Sequence, residues 1–385
     1  MWISRACSQV NRTRQLCLLR SSRCLMGSLT SKPKPNATLA AEVAVLVPGA
    51  DGTAPVAAAL GGQGHGLQLP VPLFESGRYA NPPQWEFVQK GFTDVMKWKR
   101  EGGPPPRPSE QEIREVTGHQ QPDLTAWASP AVGTIQHTWL GHASYLVQLA
   151  GVNLLFDPVF SNRCSPVQFA GPKRVLPTPA TIDQLPAIDA VFISHNHYDH
   201  LDHNTIEALA ARGVRKWFVP AGLGTWFKSE VRPHIDHANI VELSWWEEGT
   251  LGETVRVMYT PAKHWTTRGL TDKNQSLWGS WAIWEVRPDA HLLEMSHELE
   301  PESEPTSAEG VLSGGVSSPP QTGQVGQALW FSGDTGYCDA FQTIGEYFRW
   351  RFGRDLPFSL AIIGIGACER TIIACLSVAD SSVSI

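Results

Sequence analysis

Short apolar runs alternate with polar and glycine-containing segments along the middle of the chain and predict a series of buried strands. The runs cover residues 135–140, 144–149, 153–156, 191–193, 216–220, 240–243, 255–259 and 329–331. Residues 204–212 instead carry Ile206, Leu209 and Ala210 at helical spacing and predict a helix between two of these strands. Strands with intervening helices are typical of an α/β fold, in which layers of helix and sheet pack together.

The N-terminal part of the chain has a different pattern. Residues 1–41 contain arginine and serine but no Asp or Glu, which is typical of a mitochondrial presequence and equally of an unstructured basic tail. Residues 49–66 are rich in Gly and Ala, as linkers are. We therefore expect residues 1–72 to form a disordered basic segment and a linker. Folded structure should begin at Leu73, and apolar residues at helical spacing predict a helix over residues 85–96.

Composition narrows the class of protein. The net charge of −6 gives no indication of nucleic-acid binding, so we expect no nucleic-acid partner. The seven cysteines are scattered without a Cys-x-x-Cys pair, which favours a reducing compartment with free thiols. The best candidate for a membrane span, residues 41–60, is interrupted by charged residues and prolines.

Residues 288–327 are the one internal irregularity. This segment has no Lys or Arg, carries six glutamates, and then becomes rich in Ser, Gly and Pro. Such a composition cannot build a core, and it predicts a disordered acidic loop at the surface.

Candidate chemistry is concentrated directly after the apolar run at 191–193. Three histidines and an aspartate, His195, His197, Asp199 and His200, fall within six positions there. In an extended chain alternate side chains share a face, so His195 and His197 can bind one ion while Asp199 and His200 reach a second. Imidazole nitrogen and carboxylate oxygen suit zinc or a similar first-row divalent metal. The sequence therefore predicts a metal site.

Two further polar residues follow predicted strands in the same way. His264 comes after the strand at 255–259, and Asp334 comes after the strand at 329–331. Functional groups collect at the carboxyl ends of strands in layered α/β folds, which makes both residues candidates. An isolated histidine at such a position is more often an ordinary loop residue.

The motif His-x-His-x-Asp-His after a strand resembles that of the metallo-β-lactamase superfamily. Further segments resemble one branch of it, the zinc phospholipases D that hydrolyse N-acylphosphatidylethanolamine. These segments are Thr-Trp-Leu-Gly-His at 138–142, Phe-Asp-Pro at 156–158, Gly-Pro-Lys-Arg at 171–174, Ser-His-Asn-His-Tyr-Asp-His-Leu-Asp at 194–202, Trp-Trp-Glu-Glu at 245–248, Leu-Trp-Gly-Ser-Trp at 277–281 and Gly-Asp-Thr-Gly-Tyr-Cys at 333–338. The ordered set covers residues 74–370 and is far more specific than the histidine motif alone.

The resemblance implies a fold and roles for the metal ligands. The fold would be the four-layer αββα sandwich of the metallo-β-lactamases, formed by residues 73–370, with residues 288–327 as an insertion. His264 would be the third histidine on the first metal, and Asp334 the catalytic carboxylate that bridges both metals. Asp157 would stand behind the centre and orient a ligand imidazole.

Three other positions gain expectations from the resemblance. Tyr198 matches a position at which the family contacts substrate. His142 is not a ligand in the family, so a structural hydrogen bond is the expected role. His203 stands where the family often has a second tyrosine, which affects the expected head-group selectivity.

The activity implied is hydrolysis of N-acylphosphatidylethanolamine to N-acylethanolamine and phosphatidic acid by a phosphodiesterase with two zinc ions. The substrate implies a peripheral position on the cytosolic face of intracellular membranes, with a mitochondrial location as the alternative from residues 1–41. The resemblance also allows a homodimer. A generic metallo-hydrolase acting on a thioester or another small ester remains the alternative, because the same ligands serve those reactions.

The resemblance ends after Arg370. Residues 371–385 form an apolar, serine-containing tail without histidine, where the family continues with the final strands of the second sheet, a histidine that contacts substrate and the last histidine ligand of the second metal. We therefore expect the last strands of the second half to be missing and the second zinc to be weakened, with three protein ligands. A truncated isoform with impaired catalysis is a further interpretation.

Overall fold

The computed structural model describes residues 67–85, 97, 100, 109–117, 121–231, 235–287, 324–355 and 357–364. A short hairpin, β1 (Leu73–Glu75) and β2 (Arg78–Ala80), opens this part of the chain. The packed chain begins before the predicted start at Leu73, because Leu67 and Leu69 already contact the hydrophobic core. Of the helix predicted over residues 85–96, all residues after Trp85 lie outside the described chain.

The first sheet has six strands, in the order β3-β4-β5-β6-β7-β8. Their bounds are Gln136–Gly141 (β3), Ser144–Leu149 (β4), Val152–Phe156 (β5), Ala190–Phe192 (β6), Lys216–Pro220 (β7) and Ile240–Leu243 (β8). The pairs β3/β4 and β4/β5 are antiparallel, and β5 through β8 are parallel to one another. Each apolar run of the first half therefore forms a strand close to its predicted bounds.

The second sheet has five strands, in the order β13-β12-β11-β10-β9. Their bounds are Glu248–Leu251 (β9), Val255–Thr260 (β10), Ser280–Arg287 (β11), Gln324–Phe331 (β12) and Leu360–Ile362 (β13). Because β10 and β12 both run antiparallel to β11, they are parallel to each other and end at the same edge. The strand β13 pairs with β12 in parallel.

The strand β12 begins inside the segment that was predicted to be disordered. Residues 324–327 were expected to belong to the acidic loop, but Val325 pairs with Val286 and Gln324 with Arg287 across the antiparallel ladder. Cross-strand pairing with an established neighbour outweighs the weak strand propensity of this stretch. The rest of the segment, residues 288–323, lies outside the described chain, as do residues 365–385. The predicted loss of the last strands therefore stays a prediction.

Helices cover the outer faces of both sheets. The described α-helices are Glu110–Thr117 (α1), Leu124–Ala128 (α2), His203–Ala211 (α3), Gly224–Glu230 (α4) and Ala340–Phe352 (α5). On the first sheet, α3 and α4 pack Leu209 and Phe227 into one cluster with Trp217. On the second sheet, Phe348 of α5 meets Trp284 of β11 with ring centroids 5.7 Å apart.

The main core lies between the two sheets and follows from the alternation of side chains along each strand. Phe156, Phe192 and Phe218 point inward from adjacent strands, with successive ring centroids 4.9 Å apart. Trp281 of the second sheet meets Phe192 edge to face at 5.3 Å. The four layers are therefore helix, sheet, sheet and helix, which confirms the predicted αββα sandwich. In the described part of the chain, none of the helices combines the length and the apolar composition that a membrane span requires.

Candidate metal centre

Three imidazoles converge where strands of the two sheets end. The buried His195 and its neighbour His197 follow β6, and His264 follows β10 of the second sheet. His197 Nδ1 lies 2.9 Å from His195 Nε2 and 3.2 Å from His264 Nε2. Zinc–nitrogen bonds of about 2.0–2.1 Å place tetrahedral donors about 3.3–3.4 Å apart. The spacing of the three nitrogens is therefore that of a site for one cation, which we call the first site.

A second group of donors lies beside the first. His200 Nε2 is 3.8 Å from Asp199 Oδ2 and 3.3 Å from Asp334 Oδ1. This nitrogen is buried and has no hydrogen-bond partner among the described residues. A buried polar atom without a partner is costly unless a ligand occupies the site it faces. We call Asp199, His200 and Asp334 the second site.

The carboxylate of Asp334 lies between the two sites. Its Oδ1 faces His200, and its Oδ2 is 3.9 Å from His264 Nε2. The residue reaches this position because Gly333, before it, has a φ of +54° and packs directly on Ser194. A carboxylate with one oxygen toward each group has the arrangement needed to bridge two cations.

Asp157 supports the second site from behind. It follows β5 and accepts a hydrogen bond from Ser194 N at 2.7 Å. Its other oxygen, Oδ2, is 2.7 Å from His200 Nδ1 and accepts the Ser194 hydroxyl at 2.5 Å. A carboxylate in contact with Nδ1 holds the proton there and leaves the Nε2 lone pair for the metal. These are the contacts that the expected orienting role of Asp157 requires.

Burial keeps the ligands of the first site neutral. It lowers the pKa of His197 to about 4 and that of His264 to about 3, and holds the pKa of His195 well below its ordinary value. At neutral pH these imidazoles carry free lone pairs. For Asp334 burial opposes ionisation, but nearby His200 outweighs it and lowers the pKa of Asp334 to about 2. Neutral imidazoles with ionised carboxylates are the donor set of zinc and similar divalent metals.

His142 reaches the same centre from the turn between β3 and β4. Its Nε2 lies 3.0 Å from Asp199 Oδ2. One donor atom from each of His142, Asp199 and His200 lies within 4.8 Å of the others. The expectation of a hydrogen-bonding role agrees with the Asp199 contact but did not include the proximity to His200.

A cavity of about 750 Å³ opens beside the second site. Its walls include His142, His197, Tyr198 and Asp199 of the centre, the apolar Ile113, Trp139, Val175, Leu176, Pro172, Pro177, Pro179 and Trp265, and the polar or small Lys173, Arg174, Arg268, Thr267, Cys164 and Gly141. Most of these wall residues were missed in the sequence, because they come from separate loops.

Arg268 is the missed residue with the most specific contacts. It donates hydrogen bonds to the carbonyl oxygens of Asn196 at 2.9 Å and Leu201 at 2.7 Å. Its guanidinium lies 4.2 Å from the ring centre of Tyr198, whose hydroxyl donates to the Arg268 carbonyl at 2.9 Å. Tyr198 thus lines the cavity and also connects residues 195–200, which we call the ligand loop, to Arg268. Its position four residues after His264 is the one feature of the sequence that could have made Arg268 a candidate site residue.

His203 does not reach the large cavity. It begins α3, and its Nε2 is 3.2 Å from the carbonyl oxygen of Glu230. It lines a smaller pocket of about 90 Å³, whose wall shares Tyr198 and Arg268 with the large cavity.

Two loops that border the cavity end in exposed apolar residues. The first loop is closed by a hydrogen bond from Cys164 N to Pro172 O at 3.1 Å. It carries Phe169, whose side chain is 84% exposed. The loop that follows Arg268 carries Leu270, which is fully exposed. Both loops contribute residues of their bases to the cavity wall.

Comparisons with known proteins point to one group of enzymes. The family model described as the Beta-lactamase superfamily domain matches residues 152–292. N-acyl-phosphatidylethanolamine-hydrolyzing phospholipase D 1 of Caenorhabditis elegans is 33% identical over 287 residues, which are 72% of this chain and 67% of the relative.

Two other relatives match shorter segments. The mitochondrial N-acyl-phosphatidylethanolamine-hydrolyzing phospholipase D of Saccharomyces cerevisiae is 35% identical over 152 residues, 39% of this chain and 31% of the relative. A metal-dependent hydrolase of Pyrobaculum arsenaticum is 29% identical over 135 residues, 35% of this chain and 53% of the relative. This chain thus spans less than a third of the yeast relative and about half of the archaeal one.

Proposed function

Because the chain belongs to the N-acylphosphatidylethanolamine-hydrolysing phospholipase D family of the metallo-β-lactamase superfamily, we propose that it is a zinc-dependent phosphodiesterase that converts N-acylphosphatidylethanolamine to N-acylethanolamine and phosphatidic acid. The observation that carries the proposal is the position of Asp334, between two groups of donors that open onto a large cavity. Membership of this family makes the protein a metal-dependent hydrolase, whereas N-acylphosphatidylethanolamine as its substrate is our inference.

Each group of residues has a part in this reaction. Bound zinc ions would supply the Lewis acidity that activates water and neutralises charge on the phosphate oxygens. His195, His197 and His264 would hold the first ion, and Asp199 and His200 the second. Asp334 would contribute a carboxylate oxygen to each site, and Arg268 holds the loop that carries most of the ligands through its bonds to main-chain carbonyls. Such preorganisation lowers the cost of aligning substrate for attack.

The cavity supports a lipid substrate. Its walls are predominantly apolar and include Trp139, Leu176 and Trp265, and Lys173 and Arg174 contribute cationic groups. An apolar surface can take the start of an acyl chain, and a cationic wall attracts a phosphodiester. About 750 Å³ is within the usual size of small-molecule sites, roughly 300–1,000 Å³, so the cavity accommodates a head group with part of a chain.

Hydrolysis of this lipid would take place at a membrane surface, and the exposed apolar side chains of Phe169 and Leu270, on loops that border the cavity, support that location. A mitochondrial membrane is the alternative, supported by the composition of residues 1–41 and by the yeast relative, whose name includes that compartment. Imaging of the full chain with a C-terminal fluorescent tag, with and without residues 1–41, separates the two. A mitochondrial signal that depends on residues 1–41 would favour the second location.

The test of the activity is release of N-acylethanolamine by the purified zinc-loaded protein. We expect release that a chelator abolishes and added zinc restores. The Asp334→Asn variant should lose at least about 1,000-fold in rate, because it removes the anion between the two sites. Asp339→Asn is the matched control, since Asp339 directly precedes α5, makes no side-chain capping bond and lies five positions after Asp334.

A panel of other substrates decides between enzyme classes. Hydrolysis of a thioester or a small ester, with N-acylphosphatidylethanolamine left intact, would instead make the chain a generic metallo-hydrolase like the archaeal relative. Release of choline from phosphatidylcholine would keep the reaction and change the head group.

A further inference from the structure

His142 occupies a backbone position that directs it at the second site. It lies in the turn between β3 and β4, with a φ of +50°, a region that non-glycine residues rarely adopt. The turn is held by a hydrogen bond from Trp139 Nε1 to the carbonyl oxygen of His142 at 2.8 Å. Strain of this kind persists where the surrounding structure fixes it, and it is concentrated at functional sites.

The donor atoms around the second site have the spacing of a metal coordination shell. His142 Nε2 is 3.0 Å from Asp199 Oδ2, which is 3.8 Å from His200 Nε2, and His200 Nε2 is 3.3 Å from Asp334 Oδ1. These distances bracket the roughly 3.3–3.4 Å between donors on a tetrahedral zinc. The fully buried His200 Nε2 faces the group without a hydrogen-bond partner among the described residues, which independently indicates an ion at this point.

We propose that His142 is a protein ligand of the second cation, together with Asp199, His200 and Asp334. Asp199, His200 and Asp334 supply three protein ligands to this ion, and an imidazole from His142 makes four. The side chain of His142 is half exposed and lines the cavity, so this ligand lies on the side from which substrate arrives. The assignment rests on the proposed function only in requiring two cations.

The competing explanation is that His142 only donates a hydrogen bond to Asp199. Two variants separate the explanations. His142→Asn removes the imidazole but keeps a residue that tolerates the left-handed backbone. His142→Gln keeps an N–H group long enough to reach Asp199 but has no imidazole. His137→Gln is the control, because His137 is an exposed histidine on β3 outside the centre.

The measurement is a zinc titration against a competing chelator, with elemental analysis of the dialysed protein. We expect wild type and His137→Gln to bind two zinc ions. Both His142 variants should bind the first ion normally and the second more than about 100-fold more weakly, beyond the roughly 10- to 100-fold typical for loss of an outer hydrogen-bond partner. X-ray absorption of the zinc-saturated proteins should show fewer imidazoles per zinc in both variants than in wild type.

Two results would overturn the assignment. The first is His142→Gln with an unchanged second zinc, which would leave His142 only its hydrogen bond. The second is a wild-type protein that binds a single zinc. Neither measurement uses N-acylphosphatidylethanolamine, so a chain that hydrolyses a different ester would refute the proposed substrate without affecting the ligand assignment.

Discussion

Asp157 connects metal binding to the buried end of β5. It accepts hydrogen bonds from Ser194 at two atoms and contacts His200 Nδ1, and it is fully buried. An asparagine has the same shape but offers one acceptor oxygen and an N–H group in place of the other. The amide N–H group would then face a donor of Ser194 or the Nδ1–H group of His200.

We expect Asp157→Asn to weaken the second zinc by roughly 10- to 100-fold, because His200 loses the acceptor that orients it. Competitive zinc titration measures the change. The control is Asp189→Asn, a buried aspartate that caps the opposite end of the same strand through Asn153 N at 2.8 Å. It should lower stability and leave both zinc affinities unchanged; an equal loss of zinc in the two variants would contradict the role of Asp157.

The two sites should respond differently to acid. Burial opposes a charge on His200, but Asp334 and Asp157 outweigh it and raise the pKa of His200 well above its ordinary value. The pKa values of about 4 for His197 and about 3 for His264 lie far below it. A proton on an imidazole competes with zinc, so each site loses affinity as the pH falls through the pKa of its metal-free ligands.

We therefore expect the second zinc to dissociate at a higher pH than the first. A zinc-sensitive dye, read while the pH is lowered from about 8 in steps, would show two separate releases. Simultaneous release, or retention of the second zinc after loss of the first from the three-histidine site, would contradict the assignment of the more basic ligand to the second site.

Much of the centre could be predicted from single residues. His195, His197, Asp199 and His200 are close in sequence, so their proximity in space needs no knowledge of the fold. His264 and Asp334 required the rule about strand ends together with the resemblance. The contact of His142 with the second site could not be predicted, because it depends on the twist of a turn in another part of the first sheet.

At the scale of elements, the approach of β12 to the ligand loop depends on one glycine. A Cβ atom on Gly333 would lie 2.5 Å from Ser194 Cβ, and the backbone there has a φ of +54°. Gly353, at the end of α5, has a similar φ of +62°, but a Cβ atom added there would meet no described atom within 4 Å. The two positions thus share the backbone strain and differ in the available space.

We expect Gly353→Ala to lower the free energy of unfolding by about 1–2 kcal/mol, from the left-handed backbone alone. Gly333→Ala should lower the free energy of unfolding by about 1–3 kcal/mol more than Gly353→Ala does, because the neighbouring Ser194 must move. It should also reduce the amount of bound zinc, because it displaces Asp334. Chemical denaturation and elemental analysis measure both effects. Equal stability losses with full zinc content in both variants would show that the contact with Ser194 relaxes freely.

The strands were more predictable than the helices. Strands β4 to β7 and β10 are largely buried apolar runs of ordinary length, and such runs carry a strong pattern. The strand β11 was not predicted, since its outer face is covered by α5 and it therefore lacks alternation of polar and apolar residues. The helix α5 was not predicted, although it carries Ile344, Tyr347 and Phe348 at helical spacing.

At the scale of the whole molecule, the cavity and the exposed loop tips define one face. Phe169 and Leu270 stand on loops that approach the cavity from different parts of the chain. That the bases of both loops line one cavity depends on the complete fold, which explains why sequence patterns did not reveal it. Insertion of each side chain into a bilayer would contribute up to about 1.5–3 kcal/mol.

We expect the double variant Phe169→Ser and Leu270→Ser to bind lipid vesicles at least about tenfold more weakly, with unchanged turnover of a short-chain, water-soluble phosphodiester. Sedimentation with vesicles and a soluble assay measure the two properties separately. Val132→Ser is the control, because Val132 is fully exposed but does not line the cavity. Equal vesicle binding by all three proteins would place the membrane contact elsewhere.

The origin of the ligands in both sheets has a mechanical consequence. His195 and His200 follow β6 of the first sheet, whereas His264 and Asp334 follow β10 and β12 of the second. A bound ion therefore acts as a cross-link between the two sheets, and its binding free energy adds to the free energy of unfolding. At a free zinc concentration about 100 times the dissociation constant this linkage amounts to about 2.7 kcal/mol. Chelation should lower the melting temperature, and amide hydrogen exchange should then accelerate first at the ends of β6, β10 and β12 while their opposite ends stay protected.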